Sequence, residues 1–481
     1  MSRTLIWYRN DLRITDHEPL HCAVENNHEV IGVYCFDPRQ FKNTLLAHPK
    51  TGSIRAQFII ESVNHLKKKL LELGCDLIIH DGKPEDFIPT VASTLNITNV
   101  AYHKVCGTEE KYIEWEVEKV LLKTGIKCKA YWGSTLINPA DLPFPIKRLP
   151  DLFTDFRKKV EREFLIQNVF VAPKQLRGIK HTFIAASVSL DSLNLAAISN
   201  SPKSAIQFVG GELEAQGRLN QYIWQTQAIQ TYKQTRNGLL GENYSSKLSP
   251  WLAIGCLSAK YIYHEIKKYE REQIKNDSTY WLVFELLWRD YFHFISMKYG
   301  RAIFELDGLQ GKKLAWKEDA TLFEAWRIGQ TGYPFVDANM RELMLTGFMS
   351  NRGRQNVASF LTKNLGINWL WGAQWFESQL IDYDVSNNYG NWNYSAGVGN
   401  DGRSFRYFNI RKQALDYDAK GEYVRHWLPE LKNIPGFKAH EPFKLNAQEL
   451  DFYELNLGKD YPLPIVDLED SVQQIKENQY K

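Results

Sequence analysis

Cysteine is scarce in this 481-residue chain. Cys22, Cys35, Cys75, Cys106, Cys128 and Cys256 are scattered, with no Cys-x-x-Cys spacing and no histidine cluster beside them. That excludes a disulfide framework and a thiolate zinc site, and predicts small buried thiols in a reducing compartment. The first 135 residues hold no Gly-x-Gly-x-x-Gly, so a dehydrogenase-type dinucleotide fingerprint has no support. Long apolar runs are missing too: none approaches the roughly 18 residues that span a bilayer. No basic-then-apolar leader precedes the first apolar run, and a cytosolic protein is expected. Nor is charge of either sign in large excess. At a formal net charge of +3, any nucleic-acid binding must come from a local basic patch.

Aromatic side chains are plentiful: 13% of residues, including 14 tryptophans. A large core accounts for many of them, but a chain of rings can also carry electrons. A chain of this length is expected to form two domains, each burying a core. Its first part alternates apolar runs with amphipathic segments. Strands are expected at Thr4–Tyr8, Val30–Phe36, Leu77–His80, Val100–His103 and Cys128–Trp132. The clearest helix between them is Ser53–Leu73, where Phe58, Val63, Leu66 and Leu70 recur at helical spacing. This alternation predicts a parallel sheet covered on both faces. From Gly133 to about Val209 the pattern dissolves into proline, serine and asparagine (Pro139, Pro143, Pro145, Pro150, Pro173, Pro202). A connector running over the surface is predicted there, with Lys147–Arg148 and Arg157–Lys158–Lys159 as solvated charge. After Gly210 the chain reads as helical almost to its end.

The densest chemistry lies between Ile381 and Tyr394. Asp382 and Asp384 are acceptors only, Asn387, Asn388, Asn391 and Asn393 both donate and accept, and Tyr389, Trp392 and Tyr394 add flat rings. So many hydrogen-bonding groups make poor helix and poor core material. They suit a planar heteroaromatic ligand held at its edge and stacked on its face; an Asx-turn loop that satisfies its own backbone is the other reading. Upstream, Asn351, Arg354 and Gln355 share one helical face, and Arg354 is placed to pair with an aspartate of the later stretch. Tyr232 and the run Ser245-Ser246-Lys247-Leu248-Ser249-Pro250 offer hydroxyls, a lysine and amides that suit a diphosphate, although serine before proline also caps helices. Glu285, Trp288, Arg289 and Phe292 fall on one further helical face, which is unlike an ordinary apolar stripe. After the fourth strand, Lys104 to Glu110 holds the position where open α/β sheets bind ligands.

These stretches, together with Trp7 to Arg13 and Asp16, resemble the photolyase/cryptochrome family, and Ser350 to Asn356 is worded as in its cryptochrome-DASH branch. The resemblance runs from about Leu5 to Leu431. It implies an α/β N-terminal domain with a Rossmann-like parallel sheet (1–134, antenna-binding), a connector (135–209), a large all-α FAD-binding domain (210–435) and a short extension (436–481). By the same resemblance Tyr232, Ser245, Ser246, Lys247, Leu248, Ser249, Arg289, Asn351, Arg354, Asp382, Asp384 and Asn388 bind FAD, with Asn388 facing the flavin N5. Glu285, Trp288, Gln355 and Tyr394 contact substrate, and Glu285, Trp288 and Asn388 are the catalytic set. Trp392, Trp369 and Trp316 carry electrons to the flavin. Glu109, with Glu110 as the alternative register, binds a 5,10-methenyltetrahydrofolate antenna; two carboxylates in the first turn of a helix also suit its dipole alone.

The implied activity is blue-light repair of cyclobutane pyrimidine dimers, preferentially in single-stranded or looped DNA and extending to RNA, by a monomer. Two departures from the duplex-repairing photolyases carry that preference: Gln355 stands where they are apolar, and Tyr394 where they use a second tryptophan. A photoreceptor that signals without repair, and an adenine-nucleotide enzyme with a helical accessory domain, are the competing classes.

Overall fold

Parallel strands need a long return between them, and here a helix supplies it each time. β1 (Arg3–Tyr8), β2 (Glu29–Phe36), β3 (Leu77–Asp81), β4 (Asn99–His103) and β5 (Lys127–Tyr131) form one five-stranded parallel sheet in the order β3-β2-β1-β4-β5. Each strand lies within one residue of its expected limits, and the expected first long helix is Ser53–Glu72. The computed structural model describes residues 2–163, 165–199, 201, 203–401 and 406–479, so Pro202 lies outside the described residues.

The sheet has two unlike faces. Leu5, Trp7, Ile31, Val33, Val100 and Tyr102 pack with Ile88, Val91, Ile113 and Val117 from the helices Pro84–Thr94 and Thr108–Lys123. The opposite face (Ile6, Tyr8, Val30, Leu77, Ile79) meets Phe58, Val63, Leu66 and Leu70, and that cluster runs without a break into the C-terminal helices. The expectation of two separate cores is therefore corrected: one face of the sheet shares its core with the helical part. Alternating side chains on a strand make this possible, because each face can serve a different layer. Cys75, Cys106 and Cys256 are buried as expected, whereas Cys22, Cys35 and Cys128 are half-buried; all six are free.

A second correction concerns the connector. Leu149, Phe153, Phe156, Val160, Leu176, Ile179 and Leu193 are buried, and Phe153–Val160 is a helix. The prolines broke the periodicity without removing the apolar side chains, which pack singly. Arg157 is not merely solvated: it donates to the Tyr280 hydroxyl at 2.7 Å and lies over the Phe284 ring.

Two buried carboxylates tie the parts together through backbone amides. Glu212 accepts from Ile14 N at 2.8 Å and Thr15 N at 3.0 Å, which fixes the loop after β1. Asp290, in the long helix Asp277–Tyr299, accepts from Leu136 N and Ile137 N, both at 2.9 Å. Where the loop crosses the cradle at Gly255, a β-carbon would stand 2.1 Å from the Asn10 carbonyl oxygen, and φ there is +71°. Only glycine allows that approach.

Replacing Asp290 by alanine strands two buried N–H groups, at about 1–3 kcal/mol each. Asp290→Ala should lower the apparent unfolding temperature clearly, as read by calorimetry, and an unchanged transition would refute its clasp role.

Candidate functional site

A cavity of about 530 Å³ opens in the helical part, and every expected cofactor and substrate residue lines it. Tyr232 and the run Ser245 to Ser249 form one end; Glu285, Trp288, Arg289 and Phe292 form one wall from the long helix. Asn351, Arg354 and Gln355 come from the helix Asn351–Ser359. Asp382, Asp384, Asn388, Trp392 and Tyr394 close the opposite side.

The stretch judged poor helix material is a helix, Val385–Ala396. Its polar groups are satisfied within the helical frame, and this is the physical reason for the correction. Asp384 is the N-cap, accepting from both the backbone and side-chain nitrogens of Asn387 at 2.8 Å. Asn391 and Asn393 donate back to the carbonyls of Asn387 and Tyr389 at 2.8 and 2.9 Å. Asn388 donates to the Ala373 carbonyl at 3.0 Å, which decides the end of its amide left for a ligand. The expected helix from Trp251 to Leu257 is instead one short turn, Ser249–Ala253.

Charge at the site is arranged in pairs. Arg354 donates to Asp382 Oδ2 at 2.8 Å and to the Met349 carbonyl at 2.9 Å. The other oxygen of Asp382, Oδ1, is buried without a partner. Asp384 faces His293 at 3.1 Å. Burial alone would raise the Asp384 carboxyl, but His293, Arg289 and Asn387 outweigh it and hold it below the usual carboxylate range. Lys247 sits at φ +52°, over the Tyr244 ring at 3.7 Å, and burial lowers its ammonium pKa while raising the carboxyl of nearby Glu342. Arg289 is anchored on the Ser134 carbonyl and, at 3.3 Å, the Leu252 carbonyl.

On the substrate side, Glu285 is in an ion pair with Arg236 at 2.9 Å; burial raises its carboxyl pKa, and Arg236 opposes the shift. Trp288 is stacked flat by Phe153 of the connector, 3.7 Å between centroids at 12°, and meets Tyr394 edge-on at 6.2 Å. Gln355 accepts from Arg352 at 2.9 Å, and the Tyr394 hydroxyl accepts from Arg406 at 2.7 Å.

Arg236, Arg406, His293 and Phe153 were missed in the sequence. Arg236 follows Tyr232, and His293 follows Arg289, at the four-residue helical spacing that would have found them. Phe153 and Arg406 carry no local signal, because only the fold brings them here. Trp369 is buried outside the cavity with its indole N–H on the Leu306 carbonyl at 3.0 Å, and Trp316 is half-buried. Glu109 is exposed, at 69%, and ion-paired to Lys50, whereas Glu110 turns inward, where burial raises its pKa.

The model for DNA photolyase matches residues 4–175, and that for the FAD binding domain of DNA photolyase matches residues 281–481. Cryptochrome DASH of Gloeobacter violaceus is 54% identical over 464 residues, covering 96% of this chain and 93% of the relative. Cryptochrome DASH of Xenopus laevis is 50% identical, covering 97% of this chain and 90% of the relative. The chain belongs to the photolyase/cryptochrome family, in its cryptochrome-DASH branch. The crystal structure of the Synechocystis cryptochrome superposes with a TM-score of 0.97 at 51% identity, covering 99% of both chains. A class III photolyase from Agrobacterium tumefaciens gives 0.87 at 28% identity, covering 100% of this chain and 97% of the other.

The residues present fit an FAD. The unpartnered Asp382 oxygen awaits a donor, the oriented Asn388 amide has a second N–H and an oxygen to offer, and Lys247 brings a buried cation beside three serines for a diphosphate. Among the described residues no helix is long and apolar enough to cross a membrane.

Two outcomes follow for the unloaded protein. Arg354→Ala leaves Asp382 buried and unpaired, a loss of about 3–5 kcal/mol, and adding Asp382→Asn should restore much of it. Both are read by thermal unfolding, and a double variant no better than the single would refute the pairing. Asp384 is depressed from an ordinary value of 3.8, so its contribution is present above that pH and is lost as the pH falls toward the lowered folded value. Asp384→Asn should flatten the acid limb of the stability curve; an unchanged limb would contradict this.

Proposed function

We propose that the protein is a blue-light-dependent flavoenzyme that repairs cyclobutane pyrimidine dimers, preferentially in single-stranded DNA. The observation that carries this reading is the placement of Glu285 and Trp288 in the wall of the same cavity that presents Asp382, Asp384, Arg354 and Lys247. A light sensor needs the second set and has no use for the first. Glu285 is available to the polar edge of a flipped base, and Trp288, pressed flat by Phe153, offers a rigid stacking surface.

Bound and reduced, the flavin supplies a photoexcited electron that splits the dimer and is then returned to it. The chain's own residues bind and orient. Asp382 and Arg354 anchor the ring as a neutral pair, Asn388 presents its amide to the N5 edge, and Ser245, Ser246 and Lys247 take the diphosphate. Arg236 keeps the Glu285 carboxylate in place before substrate arrives.

Preference for the single strand rests on Gln355 and Tyr394. Both are tied to arginines, Arg352 and Arg406, which makes that side of the cavity polar and poor in stacking surface. Extracting a base from a duplex costs a few kcal/mol, and a single strand avoids most of it. Arg236, Arg352 and Arg406 form the local basic patch that a nearly neutral chain needs for a phosphate backbone. At Glu109, beside Lys50 at the sheet end, the proposal places a methenyltetrahydrofolate antenna. The region 1–134 would be the antenna domain and 210–435 the FAD domain of a cytoplasmic monomer.

The ion pair to Arg236 favours one alternative, a photoreceptor in which Glu285 is held permanently and signals pass to a partner without repair.

Blue-light repair of one dimer in matched single-stranded and duplex oligonucleotides separates the readings. Faster repair of the single strand supports the proposal, equal rates remove the role given to Gln355 and Tyr394, and no repair with flavin bound favours the photoreceptor. Glu285→Ala should slow single-strand repair roughly ten- to a hundredfold, the loss of one hydrogen bond to a charged group worth about 1.5–3 kcal/mol. Flavin content, read by absorbance, should stay unchanged; wild-type repair by this variant would refute the role of Glu285.

A further inference from the structure

Trp392 lines the cavity, and two rings pack edge-on against it: Phe376 at 5.1 Å and Trp326 at 6.4 Å between centroids. Trp326 is fully buried, and its indole N–H donates to the Val357 carbonyl at 3.0 Å. From there the rings continue outward. Phe323 stacks on Trp326 at 5.8 Å and 25°, and Trp371 meets Phe323 edge-on at 5.3 Å. Trp371 is half-buried, so the line runs from the cavity wall to the surface.

We propose that Trp392, Trp326, Phe323 and Trp371 form a second electron route, beside the one expected through Trp369 and Trp316. The proposal rests on the reading of the cavity as a flavin site. Electronic coupling decays steeply with the gap between π systems, so rings in contact carry an electron better than the same span of aliphatic side chains. The hydrogen bond to a neutral carbonyl makes the Trp326 indole easier to oxidise. Trp375 is a poorer station: the Arg327 guanidinium lies over its ring at 4.8 Å, which disfavours a cation there, and its buried indole nitrogen has no acceptor. Trp316 likewise has a buried indole nitrogen without an acceptor, which hinders loss of its proton.

The step balances as follows. Trp392 gives one electron to the light-excited oxidised flavin. Trp326 refills Trp392, and Trp371, across the Phe323 ring, refills Trp326; Phe323 mediates without being oxidised. The Trp371 radical cation releases its indole proton to water, and an added thiol returns one hydrogen atom to the neutral radical. The flavin has then gained one electron and the thiol has become a thiyl radical.

The test uses the full chain loaded with FAD, with flavin content fixed first by absorbance and helicity by circular dichroism. Tryptophan radicals are followed after a blue flash by transient absorption and by light-induced electron paramagnetic resonance, without DNA. Trp326→Phe and Trp369→Phe should each keep a long-lived deprotonated tryptophan radical at lower yield, and the double variant should lose it as fully as Trp392→Phe. In the Trp369→Phe background, Trp371→Phe should leave only a radical that recombines quickly. Complete loss in Trp369→Phe alone, with full yield in Trp326→Phe, would overturn the route. So would an unchanged long-lived radical in the Trp369→Phe/Trp371→Phe protein, a half-buried pair-mate that does not disturb the core at Trp326. Failure of the parent protein to take up flavin would instead overturn the reading of the cavity.

Discussion

Asp384 is the constraint from which the cavity follows. Its carboxylate caps the helix Val385–Ala396 and faces His293 on the long helix Asp277–Tyr299. One side chain thus sets the start of the helix that carries Asn388, Trp392 and Tyr394, and its distance from the helix that carries Glu285, Trp288 and Arg289. A buried carboxylate keeps its charge only with partners, so His293, Arg289 and Asn387 must all converge on it. Their convergence brings a ligand-holding wall and a base-reading wall to face each other across one space.

The same logic recurs at the joints. Buried carboxylates that accept backbone amides, Glu212 under the loop after β1 and Asp290 at the start of the connector, fix where the sheet sits on the helices. Arg289, next in sequence to Asp290, reaches the other way to the Ser134 and Leu252 carbonyls. Adjacent residues of one helix therefore hold the connector with one side chain and shape the cavity with the other. Phe153 completes the joint: a connector residue becomes the backing of Trp288, so the connector is part of the cavity wall and not a tether.

Much of this was legible in the chain. The parallel sheet followed from apolar runs of β-branched residues spaced by amphipathic helices, because period alone separates those two states. The site residues from Ser245 to Ser249, from Asn351 to Gln355, and around Asp382 were legible because each group lies within one short segment. Less legible was the helix Val385–Ala396. Asparagine-rich sequence argues against a helix locally, but side-chain bonds to preceding carbonyls and one aspartate cap reverse that balance once the segment is buried.

The sequence by itself determined the fold class, the two chemical walls and the family, since periodicity, turn residues and clustered polar groups are local properties. Only the tertiary structure decided which walls face each other, that Arg236 holds Glu285, that Arg406 holds Tyr394, and that the sheet shares a core with the helices. Those are contacts between residues far apart in the chain, and a side chain's partner across such a distance is set by how the elements pack. The same reason separates Trp369 from Trp326: both are ordinary buried indoles in the sequence, and only packing puts the ring of Trp326 against Trp392.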